Sequence, residues 1–162
     1  MRRRSSGVLM HITSLPGKQG IGTFGKSAYD FVDFLEETQQ TYWQLLPLTT
    51  TSYGDSPYQS FSAVAGNLNL IDFDLLEEEG LLEKVDYEGV NFGDNPEKVD
   101  YGLLFDARRP ILEKAVANVV KSDKVLAEIE KFEKENASWL VDYAEYMAIK
   151  ESFGYQSFIH WD

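Results

Sequence analysis

The chain has 162 residues, of which 43% are hydrophobic and 14% aromatic, and it contains no cysteine. This is enough apolar material for one packed core, and the lack of thiols excludes disulfides, zinc–cysteine sites and a cysteine nucleophile. The 27 acidic and 15 basic side chains leave a net charge of −12, which phosphate backbones repel, so we expect no nucleic-acid partner.

The N-terminal segment "MRRRSSGVLMHITSLPG" has the arginines of a secretion signal, but its apolar stretch is short and is interrupted by His11. No run in the sequence approaches the roughly 18 apolar residues of a membrane span. We therefore expect a cytoplasmic protein that has no membrane partner.

Three apolar runs in the first part of the chain predict β-strands, at residues 7–15, 42–48 and 68–75. Between the first two runs, Ser27 is a predicted helix N-cap, with Asp30 in the capping-box position. The apolar face of this helix follows the spacing i, i+3, i+4, i+7 and is formed by Phe31, Phe34, Leu35 and Thr38. Strand, helix and strand in this order predict a βα unit with parallel strands and a right-handed crossover.

The pattern changes near Leu75, where the sequence becomes more acidic and predicts helices. Pro110 should start or kink the first of them, whose stripe is Ile111, Leu112, Ala115, Val116, Val119 and Val120. A charged helix turns Val125, Ile129 and Phe132 inward. A third helix, with Gly154 as its C-cap residue, is lined by Trp139, Leu140, Tyr143, Ala144 and Met147. We predict an α/β fold in which residues 1–75 hold the βα units and residues 76–162 form an acidic, mostly helical subdomain.

Residues 20–25, "GIGTFG", have the G-x-G-x-x-G pattern of dinucleotide sites. In such sites the first glycine follows a strand directly, so that pyrophosphate meets the N-terminus of the next helix. Here residues 16–19 intervene, and the second strand ends in "LTTT" without an acid for a ribose hydroxyl. A glycine-rich loop that shapes the floor of a cleft is therefore the simpler interpretation, and nucleotide binding is the weaker alternative.

The loop "TSYGDSPYQS", residues 51–60, follows the second predicted strand at its carboxyl end, the edge where α/β folds place their ligand sites. A tyrosine ring packs on the apolar face of a pyranose while its hydroxyl forms hydrogen bonds. Carboxylate, hydroxyl and amide groups bind sugar hydroxyls. The candidate binding residues are Tyr53, Asp55, Ser56, Tyr58 and Gln59. The alternative is that the two tyrosines only pack the loop against the rim of the fold.

Three further residues have both a functional and a structural interpretation. His11 lies near the end of the first predicted strand and could face the same cleft, although a lone histidine is more often structural. Asp72 and Asp74, at spacing i, i+2, would face one side of a strand and resemble a metal or acid–base pair. Helix capping and strand-end hydrogen bonds are the simpler roles for these two carboxylates.

Several long segments together resemble one enzyme family: "SSGVLMHITSLPG", "GIGTFG", "YWQLLPL", "YGDSPYQSFSAVAGN", "LIDFDLLEEEGLL", "VDYGLLF" and "WLVDYAEYMAIKESFG". The chain is similar, from about Ser5 to its end, to the start of the 4-α-glucanotransferases of glycoside hydrolase family 77, also called amylomaltases or disproportionating enzymes. The resemblance implies an incomplete N-terminal portion of a (β/α)8 TIM barrel, with a largely helical insertion. It also implies transfer of α-1,4-glucan segments between maltooligosaccharides, with retention of configuration and without a cofactor.

The resemblance assigns roles to particular residues of the loop. Tyr58 matches a tyrosine that contacts glucan in the active-site cleft, and Asp55, Ser56 and Gln59 would shape the same subsites. Tyr53 matches a tyrosine of an additional glucan-binding surface. The two catalytic carboxylates of the family come from later strands, so the resemblance places no catalytic residue in this chain and implies that it is inactive alone.

Two alternatives remain at the level of the sequence. The chain could be a non-catalytic oligosaccharide-binding or interaction module, which would need a closed core, because an incomplete barrel exposes strand edges through which copies can self-associate. A nucleotide-binding protein would depend on the glycine loop alone.

Overall fold

The structure is a computed structural model that describes residues 4–52 and 54–161. The chain divides into two compact units, with the boundary between Asn118 and Val119. The change in charge near Leu75 therefore lies inside the first unit, which includes part of the acidic, helical half of the sequence.

A two-stranded parallel sheet opens the first unit. Strand β1 (Gly7–Leu9) pairs with strand β2 (Tyr42–Gln44) in the register Gly7 to Tyr42 and Leu9 to Gln44, and helix α1 (Lys26–Glu37) connects them. The predicted βα unit with parallel strands is confirmed. Both strands are shorter than predicted, because the chain leaves the sheet after Met10 and forms a 3-10 turn at Ile12–Ser14. This turn buries Ile12 completely.

Helix α1 packs on the sheet through fewer residues than its sequence pattern predicts. Leu35 is buried and Phe31 packs edge-on against Trp43, with 4.9 Å between the ring centroids. Phe34, however, is 50% exposed. The N-cap is Gly25 rather than Ser27, because the helix begins two residues earlier than predicted. Asp30 pairs with Lys26 instead of closing a capping box.

The third predicted strand is wrong. Its residues form a 3-10 turn (Leu68–Leu70) and helix α2 (Phe73–Glu78). The cause is local capping: the Asn67 side chain accepts a hydrogen bond from the Asn69 amide, and Asp72 accepts from the Asp74 amide. Such side chains give the backbone a turn-forming alternative to a strand ladder.

Helix α3 (Tyr101–Val119) begins well before Pro110 and continues through it. The predicted start at Pro110 is therefore wrong, because the first turn is capped instead by Asp100, whose carboxylate accepts from the Leu103 amide. The buried face of α3 consists of Leu104, Arg108, Ile111 and Ala115. The predicted stripe is confirmed at Ile111 and Ala115 and wrong at the exposed Val116 and Val120.

The second unit contains helix α4 (Asp123–Glu135), helix α5 (Leu140–Ser152) and a 3-10 turn at Phe158–His160. Gly154 ends α5 at φ +61°, and the amides of Gly154 and Tyr155 donate to the carbonyls of Glu151 and Lys150. This is the hydrogen-bond pattern of a Schellman motif. The C-cap residue is Phe153, so Gly154 ends the helix as predicted but lies one position beyond the C-cap. Ile129 and Phe132 are partly exposed, which contradicts their predicted inward position. Among the described residues, no helix is long and apolar enough to cross a membrane.

Candidate functional site

The loop that follows β2 is closed at its base by backbone pairing. Thr49 and Gly66 form an antiparallel bridge, the Thr50 amide donates to the Ala65 carbonyl, and the Asn67 amide donates to the Leu48 carbonyl. The two ends of the loop therefore lie side by side near the carboxyl end of β2. This geometry makes the described residues 51–52 and 54–64 a surface loop that is held at its base.

The tip of this loop is held by its own hydrogen bonds. The Ser52 amide donates to the Gln59 carbonyl at 2.9 Å, and the Asp55 amide donates to the Ser52 carbonyl at 3.0 Å. Gly54 and Asp55 both adopt positive φ, at +91° and +56°, a conformation that glycine and aspartate tolerate better than most residues. The turn chemistry of the sequence thus produces an ordered tip, in which a side chain has a defined direction.

The structure separates the predicted binding residues of the loop. Asp55 is half-buried and lines a cleft, whereas Gln59 lines a separate shallow depression with Ser60. The Ser56 hydroxyl accepts a hydrogen bond from the Tyr58 amide, and the Tyr58 side chain is 72% exposed. Tyr58 is therefore not packed against a rim. Tyr53 lies outside the described residues.

The cleft has a volume of about 130 Å³ and brings together five segments of the first unit. The segment after β1, the segment after β2, the loop, Asn67 and the first turn of α3 each contribute to its wall. Its polar lining consists of His11, Thr13, Ser14, Thr51, Asp55, Asn67 and Tyr101. Hydroxyl, amide, carboxylate and imidazole groups converge on a space with apolar walls at Leu46 and Pro47. Convergent polar groups of this kind can orient a small polar ligand.

Burial disfavours the charged form of three groups in the cleft. It raises the pKa of the Asp55 carboxyl and lowers the pKa of the His11 imidazole. Burial is also the main cause of the raised pKa of Tyr101, with a further contribution from the negative charge of Asp55 and an opposing one from a hydrogen bond with Thr13. Desolvation of this kind strengthens hydrogen bonds to a neutral polar ligand. The cleft therefore suits hydroxyl groups.

Sequence reasoning missed Tyr101 and Asn67 as members of this cleft. Tyr101 starts α3 and meets Asp55 only through the tertiary fold. Asn67 combines two roles, because its side chain caps a 3-10 turn and the residue also lines the cleft. The motif "VDYGLLF" was the only signal that pointed to Tyr101, and it indicated a family rather than a site.

Asp72 and Asp74 have separate structural roles and do not form a carboxylate pair. Asp72 caps α2 and is 8% exposed, where it also accepts hydrogen bonds from Thr23 and Gln19. Asp74 accepts from Tyr87 and Lys84, and these hydrogen bonds lower the pKa of its carboxyl. The capping interpretation is confirmed for Asp72. Within the described part of the chain, no group of three or more histidine, aspartate and glutamate side chains is placed to hold a metal ion.

The glycine loop is used for close packing. A side chain at Gly25 would collide with the Asp72 carboxylate, and one at Gly22 would collide with the backbone of Ile12. A buried carboxylate therefore lies beside the N-terminus of α1, where a nucleotide would place its pyrophosphate. None of residues 20–25 lines the cleft. The arrangement disfavours the nucleotide alternative.

Comparisons with known proteins agree on one family. The family model described as "4-alpha-glucanotransferase" matches residues 10–162. The chain is 60% identical over 161 residues to the 4-alpha-glucanotransferase of Streptococcus pneumoniae, which covers 99% of this chain and 32% of that protein. It is 44% identical over 160 residues to the 4-alpha-glucanotransferase of Thermus thermophilus, with 98% of this chain and 31% of that protein covered.

A solved structure is also closely similar. An amylomaltase from Streptococcus agalactiae in complex with acarbose superposes with a TM-score of 0.95 at 61% sequence identity, covering 99% of this chain and 32% of that chain. The chain thus spans about a third of the length of the relatives that it matches.

Proposed function

Because the chain belongs to the 4-alpha-glucanotransferase family, we propose that it forms one wall of the glucan-binding cleft of such an enzyme. The complete enzyme transfers α-1,4-linked glucan segments between maltooligosaccharides with retention of anomeric configuration. One observation carries the proposal for this chain: the polar cleft at the carboxyl ends of two parallel strands, where the ordered loop meets α3. That edge is where barrel enzymes build their sites.

The fold proposed for the complete enzyme is a (β/α)8 barrel, of which residues 1–75 supply the first βα units. Residues 76–162 then form an inserted, mostly helical subdomain. A barrel of this kind takes about 250 residues without insertions. In support, the described residues contain one parallel strand pair, and each strand has a single strand neighbour.

Retaining transfer needs two carboxyl groups, one as nucleophile and one as acid and base. Asp55 is the one acidic residue among the described residues that line the cleft. We therefore assign no catalytic residue to this chain, and the two carboxylates belong to the remaining two thirds of the family fold. On this proposal the chain contributes substrate binding and is inactive alone.

The binding roles follow from chemistry and exposure. Tyr58 presents an exposed ring on which the apolar face of a glucose unit stacks. Asp55 accepts hydrogen bonds from sugar hydroxyls inside the cleft, Ser56 acts beside it in the same loop, and Gln59 contacts the glucan from the separate shallow depression. Tyr53 belongs to an additional glucan contact.

The alternative function is a non-catalytic oligosaccharide-binding or interaction module. The specific observation in its favour is the exposed apolar surface at the sheet, where Leu9 is 59% and Tyr42 63% exposed. A face of this kind associates with other strands or with a second copy of the chain. Concentration-dependent self-association in analytical ultracentrifugation would support this function.

The test of the proposed function has two parts. The chain is incubated with maltotriose and the products are chromatographed; unchanged maltotriose is expected, and longer maltooligosaccharides would contradict the assignment of catalysis to other strands. Binding of maltoheptaose is then measured by calorimetry. Loss of the aromatic face in Tyr58→Ala should weaken binding about fivefold to tenfold. Tyr29→Ala, which removes a similarly exposed tyrosine from α1, is the matched control and should leave affinity unchanged.

A further inference from the structure

His11 carries an unsatisfied buried atom at the wall of the cleft. Its Nδ1 is buried and has no hydrogen-bond partner among the described residues, although the residue as a whole is half-buried and lines the cleft. Buried polar atoms without a partner are uncommon in folded proteins, and each calls for a physical explanation.

The missing partner determines which nitrogen of the ring holds the proton. A neutral imidazole has one N–H donor and one acceptor nitrogen. A proton on Nδ1 would leave an N–H group buried without an acceptor, whereas an unprotonated Nδ1 leaves only an unused lone pair. Orphaned buried N–H groups are the rarer and costlier of the two. The ring therefore carries its proton on Nε2, which is not among the buried atoms that have no partner.

The His11 ring is also uncharged, which decides the kind of ligand that it can bind. Burial lowers the pKa of His11 from its ordinary value of 6.5, so the imidazole is uncharged at neutral pH. A neutral N–H donor beside Asp55, Thr13 and Tyr101 faces a small polar space. Such a donor matches an oxygen of a neutral ligand and offers no ion pair to an anionic one.

We propose that His11 is a substrate-binding residue, held in the Nε2–H form because its buried Nδ1 has no hydrogen-bond partner, and that it donates a hydrogen bond to a sugar oxygen in the cleft. This inference rests on the proposed function and adds a residue to it. It also explains the lowered pKa as a property of the site, since protonation would place a charge where an uncharged hydroxyl has to bind.

Histidine NMR tests the inference, and the chain has a built-in control. The sequence contains two histidines, and the second, His160, lies in the other unit and is exposed. Nitrogen chemical shifts of the labelled chain at pH 8 report the tautomer of each ring. We expect an unprotonated Nδ1 and a protonated Nε2 for His11. A protonated Nδ1 in the free chain overturns the inference before any ligand is added.

Titration with maltoheptaose then tests the contact. Binding should shift the Nε2 signal of His11 and leave His160 unchanged. His11→Phe keeps a ring but removes the donor and should weaken binding about tenfold, while His11→Gln restores an N–H donor and should lie within about threefold of the original affinity. His160→Phe is the matched control.

The outcomes separate the two proposals. Binding that neither shifts His11 nor weakens in His11→Phe overturns the role of His11 and leaves the glucan cleft intact. A folded chain that binds no maltoheptaose overturns the proposed function and, with it, this role of His11.

Discussion

Different kinds of interaction stabilise the two units of the chain internally. All the buried hydrophobic side chains of the described residues lie in the first unit, the last of them at Ala115. Helices α4 and α5 of the second unit contain none. The cleft lies in the unit with the packed core, which suits a binding site, because fixed backbone positions keep polar groups in place before the ligand arrives.

A buried cation shows how the first unit is organised. Arg108, at 1% exposure, lies 4.2 Å from the ring centroid of Phe73 and donates hydrogen bonds to the carbonyls of Gln19 and Ile71. Burial lowers the pKa of Arg108 to about 10, partly opposed by the charge of Asp72. The guanidinium therefore stays charged at neutral pH and joins α3 to two segments that are distant in sequence.

The second unit depends on local interactions instead. Its ion pairs, such as Lys124 with Glu128 and Lys131 with Glu135, are exposed and span one helical turn. Exposed pairs of this type contribute a few tenths of a kcal/mol each. Its aromatic cluster stacks Phe153 on Trp161, with 5.5 Å between the centroids. Local chemistry of this kind forms helices without requiring a deep core.

The largest test of this contrast replaces one phenylalanine in each unit. Phe73→Ala removes a fully buried ring and should lower the free energy of unfolding by about 3–5 kcal/mol. The matched change Phe132→Ala, at a side chain that is 49% exposed, should cost about 1 kcal/mol. Folding removes less apolar surface from water at Phe132 than at Phe73. Urea unfolding followed by circular dichroism measures both. Equal costs would contradict the difference in packing.

Helix caps provide the second comparison. Asp72→Ala removes the cap of α2 and leaves Thr23 and Gln19 without their buried acceptor, so it should cost about 2–3 kcal/mol. Ser122→Ala removes the cap of α4 alone and should cost about 1 kcal/mol. Thermal unfolding of the two variants, compared with the unmodified chain, gives the difference. A larger effect at Ser122 would mean that the buried network adds nothing to the cap.

Two glycine-to-alanine changes should have smaller effects on stability, with opposite signs, because the backbone conformations of the two glycines differ. Gly154→Ala puts a side chain at φ +61° and should destabilise the second unit by about 1 kcal/mol. Gly102 lies within α3, and a methyl group there would meet its nearest neighbour, Asp100, at 3.6 Å, an ordinary contact distance. Gly102→Ala should therefore stabilise the chain by about 0.5–1 kcal/mol. Amide hydrogen exchange, compared between each variant and the unmodified chain, shows which unit has changed in stability.

The smallest expected effect is the response to acid. Hydrogen bonds from Tyr87 and Lys84 lower the pKa of Asp74 below its ordinary value of 3.8, and Lys114 does the same for Asp86. A carboxyl whose folded pKa is depressed stabilises the fold above 3.8, and this contribution is lost as the pH falls through the folded value. Stability of the first unit should therefore decline below about pH 4. In Asp74→Asn the decline should be shallower, and an unchanged curve would contradict this origin.

Local sequence signals predicted part of the fold and part of the site. The parallel βα unit followed from two apolar runs separated by an amphipathic helix, and the end of α5 followed from Gly154. The loop after β2 followed from turn residues placed after a strand. A third strand was wrongly predicted, because the apolar run "LNLIDFDL" fits a strand, a 3-10 turn or a helix equally well. The capping hydrogen bonds of Asn67 and Asp72 decided in favour of the turn and the helix.

Chemistry over short spans can be read from the amino-acid order alone: which residues turn, which cap a helix, and which offer hydroxyls and rings beside a strand end. Folding was needed to bring Tyr101 to Asp55, to bury Arg108 over Phe73, and to leave a buried nitrogen of His11 without a partner among the described residues. The physical reason is the sequence separation over which each kind of interaction acts. Turns and caps depend on hydrogen bonds a few residues apart, whereas burial and pKa depend on atoms that folding brings together from distant parts of the chain.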